Sequence, residues 1–251
     1  MMLRAALAFF TRLPVGSPPP GTGFRGIMAW LPTVGMIIGL LAACALWAAM
    51  QLLPPVLCGL VGCLVWVGIT GGLHLDGVAD CGDGLLVEAP PARRLEIMKD
   101  SRLGTFGALA LFFVLGGKAA ALGLLADTPA PGQASFWALA GMCCMAAVTA
   151  RSLVFVALLL PCARPGGLGS AMNDGVTASS RLAALLLTLF FCLCTGWRGL
   201  AALLTALAAA ALLLSAALRR LGGVTGDVFG CLIEVTESCM LLVFCLPQGE
   251  A

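Results

Sequence analysis

Charge is what this chain has least of. Asp, Glu, Lys and Arg make up 10% of its 251 residues, where a soluble domain carries about 25%. So few charges cannot cover a soluble fold, and 61% of the residues are hydrophobic before the 32 Gly are counted. There is a single histidine, His74, and no Cys-x-x-Cys pair, while Cys143-Cys144 and Cys192-x-Cys194 are poor ligand spacings. These lacks speak against a zinc site, and the 12 cysteines read instead as small buried hydrophobes in a reducing or lipid setting. A net charge of only +2 excludes a basic nucleic-acid-binding protein. The apolar stretch 5–10 after Arg4 is too short for the core of a secretory signal peptide.

What the chain does have is long apolar runs, and its mean hydropathy is +1.05. Charges, prolines and glycine clusters delimit seven of them, at 30–53, 56–70, 104–126, 134–160, 182–197, 199–218 and 228–246. A membrane-crossing helix needs about 20 apolar residues. The expectation is an all-α, polytopic membrane helix bundle of about seven spans, one integral-membrane domain over residues 1–251. The second run is short, and little more than Arg198 parts the fifth from the sixth. Residues 1–25 read as an amphipathic interfacial segment that runs into the loop at Ser17, Pro18, Pro19, Pro20 and Gly21.

Orientation follows from the cations. With the N-terminus cytoplasmic, the inside segments hold Arg4, Arg12, Arg25, Arg93, Arg94, Lys99, Arg102, Arg164, Arg181, Arg219 and Arg220. Only Arg198 lies outside, and Lys118 and Arg151 fall within spans. That asymmetry predicts an N-in, C-out topology. Most of the carboxylates, from Asp76 to Asp100 and again Asp174 and Asp227, fall on the same side. The polar chemistry is therefore expected at the cytoplasmic face of the membrane, with residues 71–103 as its acidic and basic segment.

Three clusters stand out. Asp76, Asp80 and Asp83 are spaced i, i+4, i+7, so on a helix they share one stripe. Three such carboxylates repel one another unless a cation sits between them, and Mg²⁺, with oxygen ligands and room for substrate phosphates, is the natural occupant. A solvated acidic loop is the plainer reading, but it leaves the helical spacing and the apolar Leu75 and Val78 without a reason. Lys99 and Arg102 precede the Gly104-Thr105 turn that opens the third long span, where a cation and free backbone N–H groups suit a phosphate. Arg93 and Arg94 read as surface anchors. In the third cluster, after Thr225, the residues Asp227, Glu234 and Glu237 again share a helical stripe. Carboxylates in a lipid-embedded span mark a polar interior or a substrate site; ion pairing with Lys118 or Arg151 competes with that reading. Arg12 and Asn173 either line a cleft or stand in turns, and His74 is either structural or in contact with substrate.

At these residues the chain resembles the cobalamin synthase family, the adenosylcobinamide-GDP ribazoletransferases. The resemblance rests on Phe10-Thr11-Arg12-Leu13-Pro14-Val15 and on the block from Gly72 through His74, Asp76, Gly77, Ala79, Asp80 and Asp83 to Gly84. It continues in Lys99-Asp100-Ser101-Arg102-Leu103-Gly104-Thr105-x-Gly107 and in Gly223-x-Thr225-Gly226-Asp227. Cys81 stands where a small hydroxyl residue is expected, and it is not among the proposed ligands. The resemblance implies a Mg²⁺-dependent transfer that joins adenosylcobinamide-GDP to α-ribazole, or its 5′-phosphate, and releases GMP. On that reading Asp76, Asp80 and Asp83 hold metal; Arg12, His74, Lys99, Arg102, Thr105, Asn173 and Thr225 contact substrate; and the base comes from Asp83, Asp227, Glu234 or Glu237. The partners are the two substrates and the bilayer, and self-association is left open. Two other classes compete: a CDP-alcohol- or prenyl-type membrane transferase, whose acidic motifs are spaced differently, and a transporter relaying through Glu234, Glu237, Lys118 and Arg151. A transporter predicts charges spread across the bilayer and an internal repeat. Here the charges crowd one face, and no repeat is visible.

Overall fold

The computed structural model describes residues 2–17, 26–127, 136–164, 166, 172 and 175–246. Within them the chain forms ten α-helices: α1 (Met2–Phe10), α2 (Leu31–Met50), α3 (Pro55–Thr70), α4 (Leu75–Leu86), α5 (Pro91–Ile97), α6 (Thr105–Ala126), α7 (Phe136–Ala157), α8 (Ala178–Cys194), α9 (Gly196–Leu221) and α10 (Gly226–Phe244). A 3₁₀ turn, Met28–Trp30, leads into α2. The only strand-like feature among the described residues is an isolated parallel bridge between Cys162 and Val224.

Each apolar run became a helix bounded by ordinary stop and start signals. Prolines open α3 and α5, where a missing N–H costs nothing. Thr177 and Ser180 form a reciprocal capping box on α8. Gly222 closes α9 in the left-handed conformation, with Arg219 and Arg220 in the last turn.

The protein is a polytopic membrane helix bundle. Four helical stretches are long and apolar enough to cross a bilayer alone, ending in α2, α6, α7 and α9, and a fifth arises if the bent pair α3–α4 counts as one. The other runs fall short for physical reasons. α3 has 16 residues and α8 has 17, about 24–26 Å at 1.5 Å per residue, against a hydrocarbon core of about 30 Å. α10 has 19 residues but includes Asp227, Glu234 and Glu237.

Helix α7 is the most enclosed of the long helices, packed by α2, α8, α9 and α10. α10 in turn lies against α4, α6, α7 and α9. Leu60, Leu64, Phe112, Phe113, Leu186, Leu193, Leu204 and Leu212 point outward from α3, α6, α8 and α9, as a lipid-facing surface requires.

The decisive departure from a plain bundle is the turn after α3. Gly71 (φ +64°) and Gly72 (φ +69°) both take left-handed backbone, which only glycine adopts freely. They swing α4 through 94° relative to α3. α4 therefore runs along one end of the bundle instead of continuing the crossing, and takes the acidic stripe with it.

Candidate active site

That end of the bundle collects the polar residues. The C-termini of α3, α7 and α9 meet the N-termini of α6, α8 and α10 there, because sequential helices alternate in direction. Contacts confirm the alternation: α3 and α6 are antiparallel, with Gly59 against Ala119 and Cys63 donating to the Leu115 carbonyl, and α6 and α10 run parallel, with Ser238 donating to the Val114 carbonyl and Cys245 to that of Ala121.

Two cavities lie side by side at this end and share Asp76. The first, about 440 Å³, is bordered by Asp76, Asp80, Asp83, Lys99, Ser101 and Arg102, with Asp100 beside them. The acidic stripe and the basic segment thus meet in one cleft. The second, about 310 Å³, has an apolar wall that includes Phe9, Phe10, Leu31 and Phe229, and polar members His74, Asp76, Arg164, Thr225 and Asp227.

The carboxylates are not equivalent. Asp83 reaches across to the start of α6 and accepts the N–H groups of Gly104 (2.7 Å) and Gly107 (2.8 Å). It is thus a cap supplied from another helix, satisfying N–H groups that the helix itself leaves free. Asp80 is half-buried, and its pKa is pushed up to about 6 by burial first, then by the charges of Asp227, Asp76 and Asp83, against the opposing pull of Arg164. Asp76 is exposed. Among the described residues no three His, Cys, Asp or Glu side chains converge to hold a metal by themselves. The ready-made triad of Asp76, Asp80 and Asp83 is therefore not found, because Asp83 is committed to the α6 N-terminus.

Asp227 is held in place from two sides. Thr225 caps α10 by accepting the Val228 N–H, and its hydroxyl donates to Asp227 Oδ2 at 3.2 Å. Arg164 Nη1 donates to the same Oδ2 at 2.8 Å, while Nη2 donates to the Leu95 carbonyl. Arg164 was not among the sequence candidates; it read as one more inside cation, 63 residues from its partner. The Cys162–Val224 bridge delivers it, through Val224 N–H to the Pro161 carbonyl and Ala163 N–H to the Val224 carbonyl.

Glu234 and Glu237 have a different fate from a cavity base. Both are sealed inside the bundle, 1% and 0% exposed. Lys118 Nζ donates to Glu234 at 2.5 Å and Glu237 at 2.7 Å, and Arg151 donates to Glu237 at 2.5 Å. Lys118 also lies over the buried Trp66 ring, 5.2 Å from its centroid. The pairing role competes successfully here: a charge buried at this depth needs a partner. His74 is buried between the two regions. It borders the apolar cavity and stands 3.8 Å from Glu234.

The remaining candidates scatter. Lys99 and Arg102 are exposed at the rim of the acidic cleft, and Arg102 is bound to Asp100 through a 2.6 Å contact. Thr105 is exposed as the first residue of α6 and borders neither cavity. Arg12 is also exposed; its backbone N–H donates to the Ile69 carbonyl, and its side chain lies over Gly71 at the α3–α4 turn. Asn173 lies outside the described residues. All 12 cysteines are free thiols, and Cys81 meets Cys231 across the α4–α10 contact.

Fold and site define a class: a helical membrane protein with a carboxylate-lined cleft at one end of its bundle. Within that class the chain belongs to the cobalamin-5-phosphate synthase family, whose model matches residues 2–245. It is 39% identical over 258 residues to the adenosylcobinamide-GDP ribazoletransferase of Ectopseudomonas mendocina (strain ymp), covering 97% of this chain and 98% of that protein. The protein of the same name from Brevibacillus brevis is 34% identical over 246 residues, covering 95% of each. That of Pseudomonas aeruginosa PAO1 is 39% identical over 252 residues, covering 97% of each. No solved structure matches the chain.

Proposed function

We propose that this chain joins adenosylcobinamide-GDP to α-ribazole or its 5′-phosphate, giving adenosylcobalamin or its 5′-phosphate and GMP. The observation behind the reading is family membership over nearly the whole chain, with Asp76, Asp80, Asp83, Lys99, Arg102, Thr225 and Asp227 gathered around two adjoining cavities. We place the protein in a bacterial cytoplasmic membrane, the N-terminus and both cavities facing the cytoplasm.

The reaction is a displacement at phosphorus. The acceptor hydroxyl attacks the phosphorus bonded to the cobinamide alcohol, the bridging P–O bond breaks, GMP leaves with the bridging oxygen, and the hydroxyl proton passes to a carboxylate. Asp227 is the base that suits this best. Its two hydrogen bonds among the described residues both fall on Oδ2, it borders the apolar cavity beside Asp76, and a base must stand within reach of the proton it takes. Asp83 is occupied by α6, and Glu234 and Glu237 are sealed away. Lys99 and Arg102, at the rim of the acidic cleft, steady the phosphates.

Mg²⁺ suits the acidic cleft. The donors are hard oxygens, and the Asp80 pKa, raised by burial first and then by its carboxylate neighbours, marks a crowding of negative charge that a divalent cation relieves. Mg²⁺ is usually held by one or two carboxylates together with waters and substrate phosphates, so the lack of a three-residue cage is no obstacle. Asp80 and Asp76 would hold it, and when bound it neutralises charge developing on the pyrophosphate. The test is GMP release by the purified protein in liposomes, given adenosylcobinamide-GDP and α-ribazole phosphate with and without Mg²⁺. Release that needs both substrates and the metal supports the reading. No release from folded, correctly inserted protein overturns it.

A further inference from the structure

The two cavities differ in character, and the difference assigns a substrate to each. We infer that the apolar-walled cavity is the acceptor subsite, which takes a flat bicyclic aromatic nucleoside, while the acidic cleft takes the pyrophosphate of the donor. This rests on the transfer reading above and specifies where each partner of that reaction sits.

The wall argues first. Phe9, Phe10, Phe229, Leu31, Val154 and Ile233 surround a volume of about 310 Å³, at the small end of the range for small-molecule pockets, roughly 300–1,000 Å³. A corrin ring with its amide arms is too large for it; a benzimidazole riboside such as α-ribazole is suited in size and in its aromatic face. Among the described residues the wall holds one cation, Arg164, whose two Nη groups donate to Asp227 and to the Leu95 carbonyl, whereas Lys99 and Arg102 both stand at the rim of the acidic cleft.

The polar end argues next. His74 Nδ1 and Arg164 Nε are buried without a hydrogen-bond partner among the described residues. Buried polar atoms are ordinarily paired; His74 Nδ1 faces Glu234 at 3.8 Å, and a ribose hydroxyl would supply the partner that Arg164 Nε, beside Asp227, lacks. Asp227, bordering the same cavity, would then meet the hydroxyl that reacts.

Arrangement completes the case. Asp76 borders both cavities. His74 and Gly77 turn to the apolar side, and Ala79, Asp80 and Asp83 to the acidic side. Phosphoryl transfer needs the attacking and leaving oxygens roughly in line. A nucleophile arriving from one cavity and a pyrophosphate lying in the other, with Asp76 between them, meet that demand without either substrate having to cross the other.

The test uses the full chain in lipid nanodiscs. Leu73, exposed at the lip of the apolar cavity, is replaced in Leu73→Trp to fill it from outside the core; Phe9→Ala removes part of the aromatic wall instead. Two measurements are made on each: KM for both substrates, and equilibrium dialysis of α-ribazole alone. The expected result is a KM for α-ribazole raised about tenfold, the equivalent of about 1.4 kcal/mol, with weakened dialysis binding and an unchanged KM for adenosylcobinamide-GDP. The unchanged donor KM also shows that the variants fold. A raised donor KM with an unchanged acceptor KM overturns the assignment, as does turnover in which neither variant moves either constant. If the wild-type chain releases no GMP but binds α-ribazole, and Leu73→Trp abolishes that binding, the subsite stands and the transfer reading falls.

Discussion

At the scale of single residues, position rather than charge separates the carboxylates into roles. Asp227 is anchored through one oxygen by Arg164 and Thr225. Asp227→Asn keeps an oxygen for both donors and should leave the fold intact. It removes the proposed base, so GMP release should fall about 10²–10⁴-fold with little change in the thermal midpoint. A fall of only a few fold would move the base elsewhere. Glu237 shows the opposite pattern, with both oxygens spent on Lys118 and Arg151 inside the bundle. Lys118→Met leaves two buried carboxylates short of a cation and should cost about 3–5 kcal/mol of stability. Adding Glu234→Gln should recover part of the loss, because one of the uncompensated charges is then gone. Thermal unfolding in detergent reads both effects. Equal melting of single and double variants would mean that the cluster is not coupled in this way.

At the scale of elements, α4 decides the geometry of the site. It lies so close to α10 that a Cβ at Gly77 would collide with the backbone carbonyl of Asp227. Gly77→Ala must push α4 and the start of α10 apart. Overpacking of this kind costs about 1–3 kcal/mol, and here it also shifts Asp227 relative to Asp76 and Asp80. The expected outcome is a protein that still inserts but turns over at least tenfold more slowly, about 1.4 kcal/mol on the barrier, as measured by GMP release per folded molecule. Normal turnover would show that the contact between α4 and α10 is slack. Asp83 ties the same helix to α6 through Gly104 and Gly107, so one side chain both caps α6 and fixes the floor of the acidic cleft.

At the scale of the whole molecule, the concentration of carboxylates at one end of an otherwise apolar bundle would make the proposed Mg²⁺ binding depend on pH. Asp80 has its pKa raised to about 6, so near neutral pH it is ionised and takes a cation without first losing a proton. Below that value proton and metal compete for it. Apparent Mg²⁺ affinity should therefore be nearly flat from about pH 7 to pH 8 and weaken by up to about tenfold for each pH unit below about 6. Calorimetric titration with Mg²⁺ across that range, with proton release followed in parallel, measures it. An affinity independent of pH down to about 5 would exclude Asp80 as a ligand.

Much of this is legible in the sequence alone. Apolar runs, their proline and glycine boundaries and the one-sided charges specified a helical membrane bundle, because a backbone in lipid must satisfy its own hydrogen bonds within each segment and that demand is local in sequence. The same local periodicity placed Asp76, Asp80 and Asp83 on one helix, with Lys99 and Arg102 close behind. Pairings across long separations were not legible. Nothing local says that Asp83 caps α6, that Arg164 finds Asp227, or that Glu237 is neutralised by Lys118 and Arg151, since a side chain's partner is set by which helices pack together. A helical stripe tells which residues share a face. Only the bend at Gly71 and Gly72 and the docking of α4 on α10 decided which of those faces became cavity and which became sealed interior.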